Sequence, residues 1–253
     1  MNREIILSNF AKRPVRTGVS MLAVAIEVSL ILLVIGLVNG IQTETGERTA
    51  GVGADIMFQP DESALFLGLN SAVLPIEYGD LLRDVEGVEA VAPVVTQFNT
   101  QDGFDVVYGI DPESFGSVSG GFRFIEGEIF SAPDEIVIDD LYSQAKELSV
   151  GDQLTILNHA FTVSGIVENG MGARLYLDLA AAQEMSGREG QVSMFFVRLD
   201  DPDQTYEIQE LLEEMFVSEQ AVPLQDIVSL MMSTSVPALD AFLKLGEQSP
   251  SWM

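Results

Sequence analysis

The sequence predicts an α+β fold: one N-terminal transmembrane helix followed by a mixed α/β extracytoplasmic domain. Three observations carry that expectation. An apolar run from Gly18 to Val38 sits directly behind a basic cluster. Beyond it, stretches rich in valine, isoleucine and phenylalanine exchange with stretches of helical period. Turn residues separate the two kinds of stretch throughout.

Residues 1–17 are expected to form a cytoplasmic interfacial segment. In NREIILSNFAK (2–12), Ile5, Ile6, Asn9 and Phe10 fall at helical spacing, and Pro14 is expected to break that short helix. Residues 18–38 follow as the transmembrane helix. At about 1.5 Å per residue the run is roughly 31 Å long, the thickness of a bilayer core. KRPVR precedes it, and no basic residue follows until Arg48. Lys12, Arg13 and Arg16 therefore act as topology determinants, with the N-terminus cytoplasmic and the chain beyond Asn39 outside. A cleaved signal peptide would carry a shorter apolar region of about 7–15 residues ending in small residues. This run is longer and ends LVNGIQ, which favours an uncleaved anchor.

Glu27 lies near the middle of the span. An acidic residue there costs roughly 2.5–3.5 kcal/mol on insertion scales. The surrounding leucines, isoleucines and valines offset it. Ser20, Ala23, Val24, Ile31 and Val34 share its helical face, so Glu27 and Ser20 are the candidate intramembrane polar contacts. One reading is an interhelical hydrogen bond that aids assembly. The other is a proton or substrate relay, for which the span shows no second carboxylate.

Residues 39–223 read as the extracytoplasmic core. Strands are expected at 54–59, 88–98, 104–110, 135–139, 160–168 and 192–199. Helices are expected at 75–85, 139–148, 178–185 and 203–216. Pro75 is expected to open the first of these, with Asp178 and Asp203 capping the last two. The last helix places Tyr206, Leu211, Met215, Ile208 and Leu212 on a broad apolar face. DPESFGSVSGGFRF (111–124) reads as a loop. Residues 224–253 read as a stalk, or as the start of a second membrane segment.

Composition narrows the function. Residues 1–17 carry a net charge of +3, and residues 39–253 carry −29. So acidic a domain repels nucleic acid, which is excluded as a partner. There is no cysteine, hence no disulfide framework and no thiolate metal site. The single histidine, His159 in LNHAFTV, reads as a surface turn residue before a strand. DDPDQ (200–204) reads as a turn and helix cap rather than a cation loop. GVGAD (51–55) lacks the lysine of a phosphate loop, and no G-x-S-x-G or H-E-x-x-H occurs. No catalytic, cofactor-binding or metal residue is expected, no cofactor is implied, and the chain is not expected to be an enzyme.

The ordered blocks of the chain resemble a family. NFAKRPVRTGVSMLAVAIEVSLILLVIGLVNG, GADI, VEGVEAVAPVV, VVYGIDPESF, RFIEGEIF, EIVIDDLYSQAKELSVGDQLTI and AFTVSGIVENG resemble successive blocks of MacB-type ABC transporter permeases. These are related to the FtsX and lipoprotein-releasing permeases. The resemblance covers roughly residues 5–220. It implies a permease subunit of the bacterial inner membrane, working as a homodimer or heterodimer with a cytoplasmic ABC ATPase subunit. A periplasmic adaptor and membrane lipid are further implied partners. ATP hydrolysis would drive export or mechanical transmission at the periplasmic side. The fold implied is two-lobed: residues 54–104 with 190–225 form one lobe, and 105–189 an inserted one. Glu27 departs from the family pattern, and the chain ends at FLKLGEQSPSWM without the family's C-terminal membrane domain. The alternative is a single-pass, membrane-anchored periplasmic binding or scaffold module that moves nothing.

Overall fold

The computed structural model describes residues 14–61, 72–100 and 103–233. The expected interfacial helix at 2–12, with Lys12 and Arg13, lies outside the described residues, as does the stalk beyond Ser233. The chain divides into two compact units, residues 1–44 with 234–253, and residues 45–233.

Helix α1 runs from Pro14 to Ala50, through the first unit and into the second. Pro14 stands at the first described position of this helix, where no N–H is needed and the proline ring presets φ. One expectation changes here: the helix continues twelve residues past Val38. No proline interrupts the chain between Pro14 and Pro60, and a helix once nucleated propagates cheaply. It stops where Gly51 follows Ala50. Among the described residues no helix is long and apolar enough to cross a membrane. The side chains described without a break on α1 run from Gly18 to Val34. They cover about 25 Å of rise, less than the roughly 30 Å of a hydrocarbon core.

The second unit is built on one sheet. Its strands are β1 (Ile56–Pro60), β3 (Val88–Asn99), β4 (Asp105–Ile110), β5 (Phe124–Gly127), β6 (Glu135–Asp139), β7 (Gln153–Ile156), β8 (His159–Val167), β9 (Leu175–Asp178), β11 (Met194–Leu199) and β12 (Glu219–Pro223). They lie in the order β12-β1-β11-β3-β4-β9-β6-β8-β5, with β7 paired to β8. β2 (Leu74–Pro75) and β10 (Gln191–Val192) make a separate two-stranded ribbon. Strands from 54–104 and 190–225 fill one end of the large sheet, and strands from 105–189 the other. The sheet runs unbroken between them through the β3–β4 pairing, Val94 to Asn99 against Asp105 to Ile110.

Helices cover both faces. On one lie α2 (Tyr78–Arg83), α4 (Asp140–Lys146), α5 (Leu179–Ser186) and α6 (Thr205–Met215), burying Leu82, Tyr142, Ala182, Ile208 and Leu212. On the other lie α3 (Pro112–Ser119) and α7 (Leu224–Ser233), burying Phe115, Val118, Leu224 and Ile227. Each core runs along the whole sheet: Phe58 shares one with Phe161, and Met57 shares the other with Val137.

A recurrent local device starts the helices. A strand ends, and the next aspartate caps the helix that follows. Asp111 accepts from Ser114 N at 2.9 Å, Asp139 from Tyr142 N at 2.6 Å, and Asp178 from Ala181 N at 3.0 Å. Each such cap contributes about 1 kcal/mol. Asp111 shows that the expected loop at 111–124 is in part a helix, α3. Pro112 at its first position and Gly120 in the left-handed region at its end mark its limits. Its apolar residues, Phe115 and Val118, are only two, too few to register as a period.

Other boundaries shift. Pro75 closes β2, and α2 begins at Tyr78. Asp203 is not a cap; Asp201 caps a 3-10 turn, Pro202–Gln204, that leads into α6. The apolar face of α6 narrows to Ile208 and Leu212, leaving Tyr206, Leu211 and Met215 exposed. The expected strand at 192–199 splits at Ser193 into β10 and β11. His159 is exposed and opens β8, after a tight two-residue turn in which Leu157 and Asn158 both adopt positive φ.

α5 sits close against β4 because Gly109 has no side chain. A Cβ there would run into Ala182 Cβ. We expect Gly109→Val to push α5 off the sheet and cost about 1–3 kcal/mol, read as a lower urea midpoint. An unchanged midpoint would contradict the contact.

Candidate functional site

Ser20 and Glu27 are both exposed on α1. They lie two turns apart, about 10 Å along the axis, so they do not touch each other. Arg16 lies on the same helix, but its side chain is outside the described residues. The apolar residues beside Glu27 are as open as those opposite. Val24 is 58% exposed and Ile31 51%, against 60% for Ile26 and 65% for Leu33. An ordinary amphipathic helix buries one stripe and wets the other. This one has no buried stripe among the described residues.

The second feature is the corner where the chain enters and leaves the sheet. Asp55 organises it with three hydrogen bonds. Its N–H donates to Val197 O at 2.9 Å. Its carboxylate Oδ2 accepts from Leu199 N at 2.8 Å. Its carbonyl accepts from Leu224 N at 2.9 Å. One residue thus joins the start of β1 to β11 and to the first turn of α7. Val52, Leu224 and Ile227 share one core beneath this junction. α7 is braced further by the Tyr206 hydroxyl, which donates to Asp226 Oδ1 at 2.9 Å. That hydrogen bond pushes the phenol's pKa above its ordinary value, with desolvation and the carboxylate's charge adding to it.

The corner also meets a loop from the far stretch of the chain. The Tyr176 hydroxyl is shared between the carbonyls of Met171 and Ala173, at 2.8 and 2.7 Å. Between them Gly172 adopts φ +89, and a Cβ there would lie 2.7 Å from Tyr108 Cε2 and 3.0 Å from Val52 Cγ2. Burial pushes the Tyr108 phenol well above its ordinary range. On β11, Arg198 Nη1 donates to Val118 O at 3.1 Å, and its Nε pairs with Glu89 Oε2 at 2.9 Å. These links bind β11, β3 and α3 together.

These hydrogen bonds tie Asp55 and the first turn of α7 to β11. Among the described residues no cluster of His, Cys, Asp or Glu is arranged to hold a metal ion. In the sequence Asp55 falls inside the expected strand at 54–59. An acidic residue directly before a buried apolar run was the available signal, since such a side chain must find donors.

The chain matches the MacB-like periplasmic core domain over residues 17–215 and belongs to that family. Its fold is similar to the periplasmic region of MacB from Actinobacillus actinomycetemcomitans, at 16% identity and a TM-score of 0.53, spanning 72% of this chain and 94% of that one. It is also similar to the extracellular domain of the ABC-type transporter YknZ from Gram-positive bacteria, at 17% identity and a TM-score of 0.50, spanning 67% of this chain and 98% of that one. No curated protein sequence matches the chain.

We expect Asp55→Ala to cost about 1–3 kcal/mol, because it leaves the Leu199 N–H without its carboxylate. Asp55→Asn, which keeps an acceptor oxygen, should lose less. Urea unfolding of both variants checks this, and equal losses would show that the carboxylate oxygen does not matter.

Proposed function

We propose that the chain supplies the first membrane helix and the extracytoplasmic domain of a permease subunit in a MacB-like ABC transporter. The observation that carries this is the surface of α1. Twelve large apolar residues between Val15 and Val34 are exposed around the whole helix. At about 1.5 kcal/mol each, leaving them in water forfeits on the order of 20 kcal/mol. A bilayer removes that penalty. The sequence continues the apolar run to Val38, which restores the length a span needs.

Membership of the core-domain family supports an ABC ATPase as the partner in general. In this reading a separate cytoplasmic subunit hydrolyses ATP, and this chain converts the motion into work outside the membrane, in export or mechanical transmission. The permease subunits pair as a homodimer or heterodimer, and Glu27 with Ser20 marks the face of α1 that meets a neighbouring helix rather than lipid. A periplasmic adaptor would dock on the domain. The basic cluster Lys12, Arg13 and Arg16 holds the N-terminus in the cytoplasm of a bacterial inner membrane. The corner at Asp55 suits this work, because both connecting segments are bonded to neighbouring strands of one sheet.

A topology reporter tests the reading. Alkaline phosphatase fused after Ser229 should be active, and β-galactosidase at the same position inactive. The reverse pattern would place the domain in the cytoplasm and sink the proposal.

A further inference from the structure

Strand β3 is not paired equally along its two edges. On one it pairs with β4 as far as Asn99, and on the other with β11 only as far as Val94, opposite Met194. Ser193 ends that second pairing. Its N–H donates to Val94 O at 2.9 Å, and its Oγ accepts from Thr96 N at 2.9 Å. The chain then turns aside, and Gln191 and Val192 pair with Pro75 and Leu74 instead. Backbone groups of successive strand residues point to alternate edges. The carbonyl of Thr96 and both backbone groups of Phe98 therefore face the edge that β11 has left. They have no hydrogen-bond partner among the described residues.

This edge, unpaired among the described residues, lines a cavity of about 340 Å³ between β3 and β10, within the size range of ligand sites. Val95, Phe98, Leu157 and Val192 give it apolar walls, and Arg188 is the only charged residue described in its lining. The Arg188 side chain is half-buried, and among the described residues it has no carboxylate partner. That is notable where residues 39–253 carry a net charge of −29. A guanidinium is a fork matched to a carboxylate. An unpaired strand edge is matched to another extended backbone.

We propose that this notch binds an extended peptide segment of a partner protein, by strand addition to β3 at Thr96–Phe98, with a peptide carboxylate on Arg188. The acidic remainder of the domain repels other negative charge, so the peptide is neutral or basic apart from that one carboxylate. Alternate apolar side chains of the peptide fill the walls. The binding site requires neither the membrane anchor nor the ATPase.

The test uses the full chain in nanodiscs. A displayed random heptapeptide library is selected on it after removal of binders to empty nanodiscs. Enriched peptides are synthesised and their binding measured by fluorescence anisotropy. The expected set carries one Asp, Glu or free C-terminal carboxylate beside β-branched residues. Arg188→Glu should weaken binding at least tenfold, and Arg188→Gln, the milder change, should weaken it in the same direction. Methylating the peptide backbone nitrogens should also weaken it, since strand addition needs those donors. Failure to enrich any peptide would overturn the proposal. So would binding that is unchanged in both Arg188 variants, or unaffected by backbone methylation. None of these results bears on membrane topology, so the reporter fusion and this selection fail independently.

Discussion

The pairing of β3 on both of its edges is the constraint on which the domain depends. Val88–Asn99 is the longest described strand, and it holds β11 on one side and β4 on the other. Without it, the strands of 54–104 and 190–225 and those of 105–189 would be two small sheets. Each would have an exposed edge and half a core. With it, apolar cores run along both faces from Ile56 to Val163 and from Met57 to Val167. The glycine at 109 follows from the same crowding, since β4 is pressed between β3 and α5. The notch beside Arg188 follows from the one place where the second edge of β3 is released.

Much of the fold was legible because its signals are local. β-Branched runs marked β3, β4, β6 and β8 to within a residue or so at each end. Asp178 was legible as a cap because an aspartate before an apolar helical period has few other uses. The misses were short or non-local. β9 is four residues and β2 and β10 are two each, below the length at which alternation is detectable. The Asp-Pro signature at Asp111 and Pro112 was present, but the glycines and serines behind it read as loop. The extension of α1 to Ala50 was missed because its polar sequence carries no apolar period.

The candidate site divides the same way. Glu27 stands out in any sequence because a charge inside an apolar run is expensive wherever it ends up. Asp55 and Arg188 do not stand out. Asp55 acts through Leu199 and Leu224, 144 and 169 residues away, and no short pattern announces such partners. Arg188 becomes unusual only once the course of β10 leaves a cavity beside it. Only the packing tells where the domain is tied.

The entry and exit segments of the domain are bound to one sheet at the Asp55 corner. Native-state hydrogen exchange on the full chain, read at individual amides, tests this directly. Leu224 N–H, bonded to Asp55 O, and Leu199 N–H, bonded to the Asp55 carboxylate, should exchange at rates close to those of the β3–β11 ladder, with a shared dependence on denaturant. If Leu224 and Leu199 instead exchange as quickly as free peptide while the β3–β11 amides stay protected, the corner is loose, and motion of α7 does not reach the sheet.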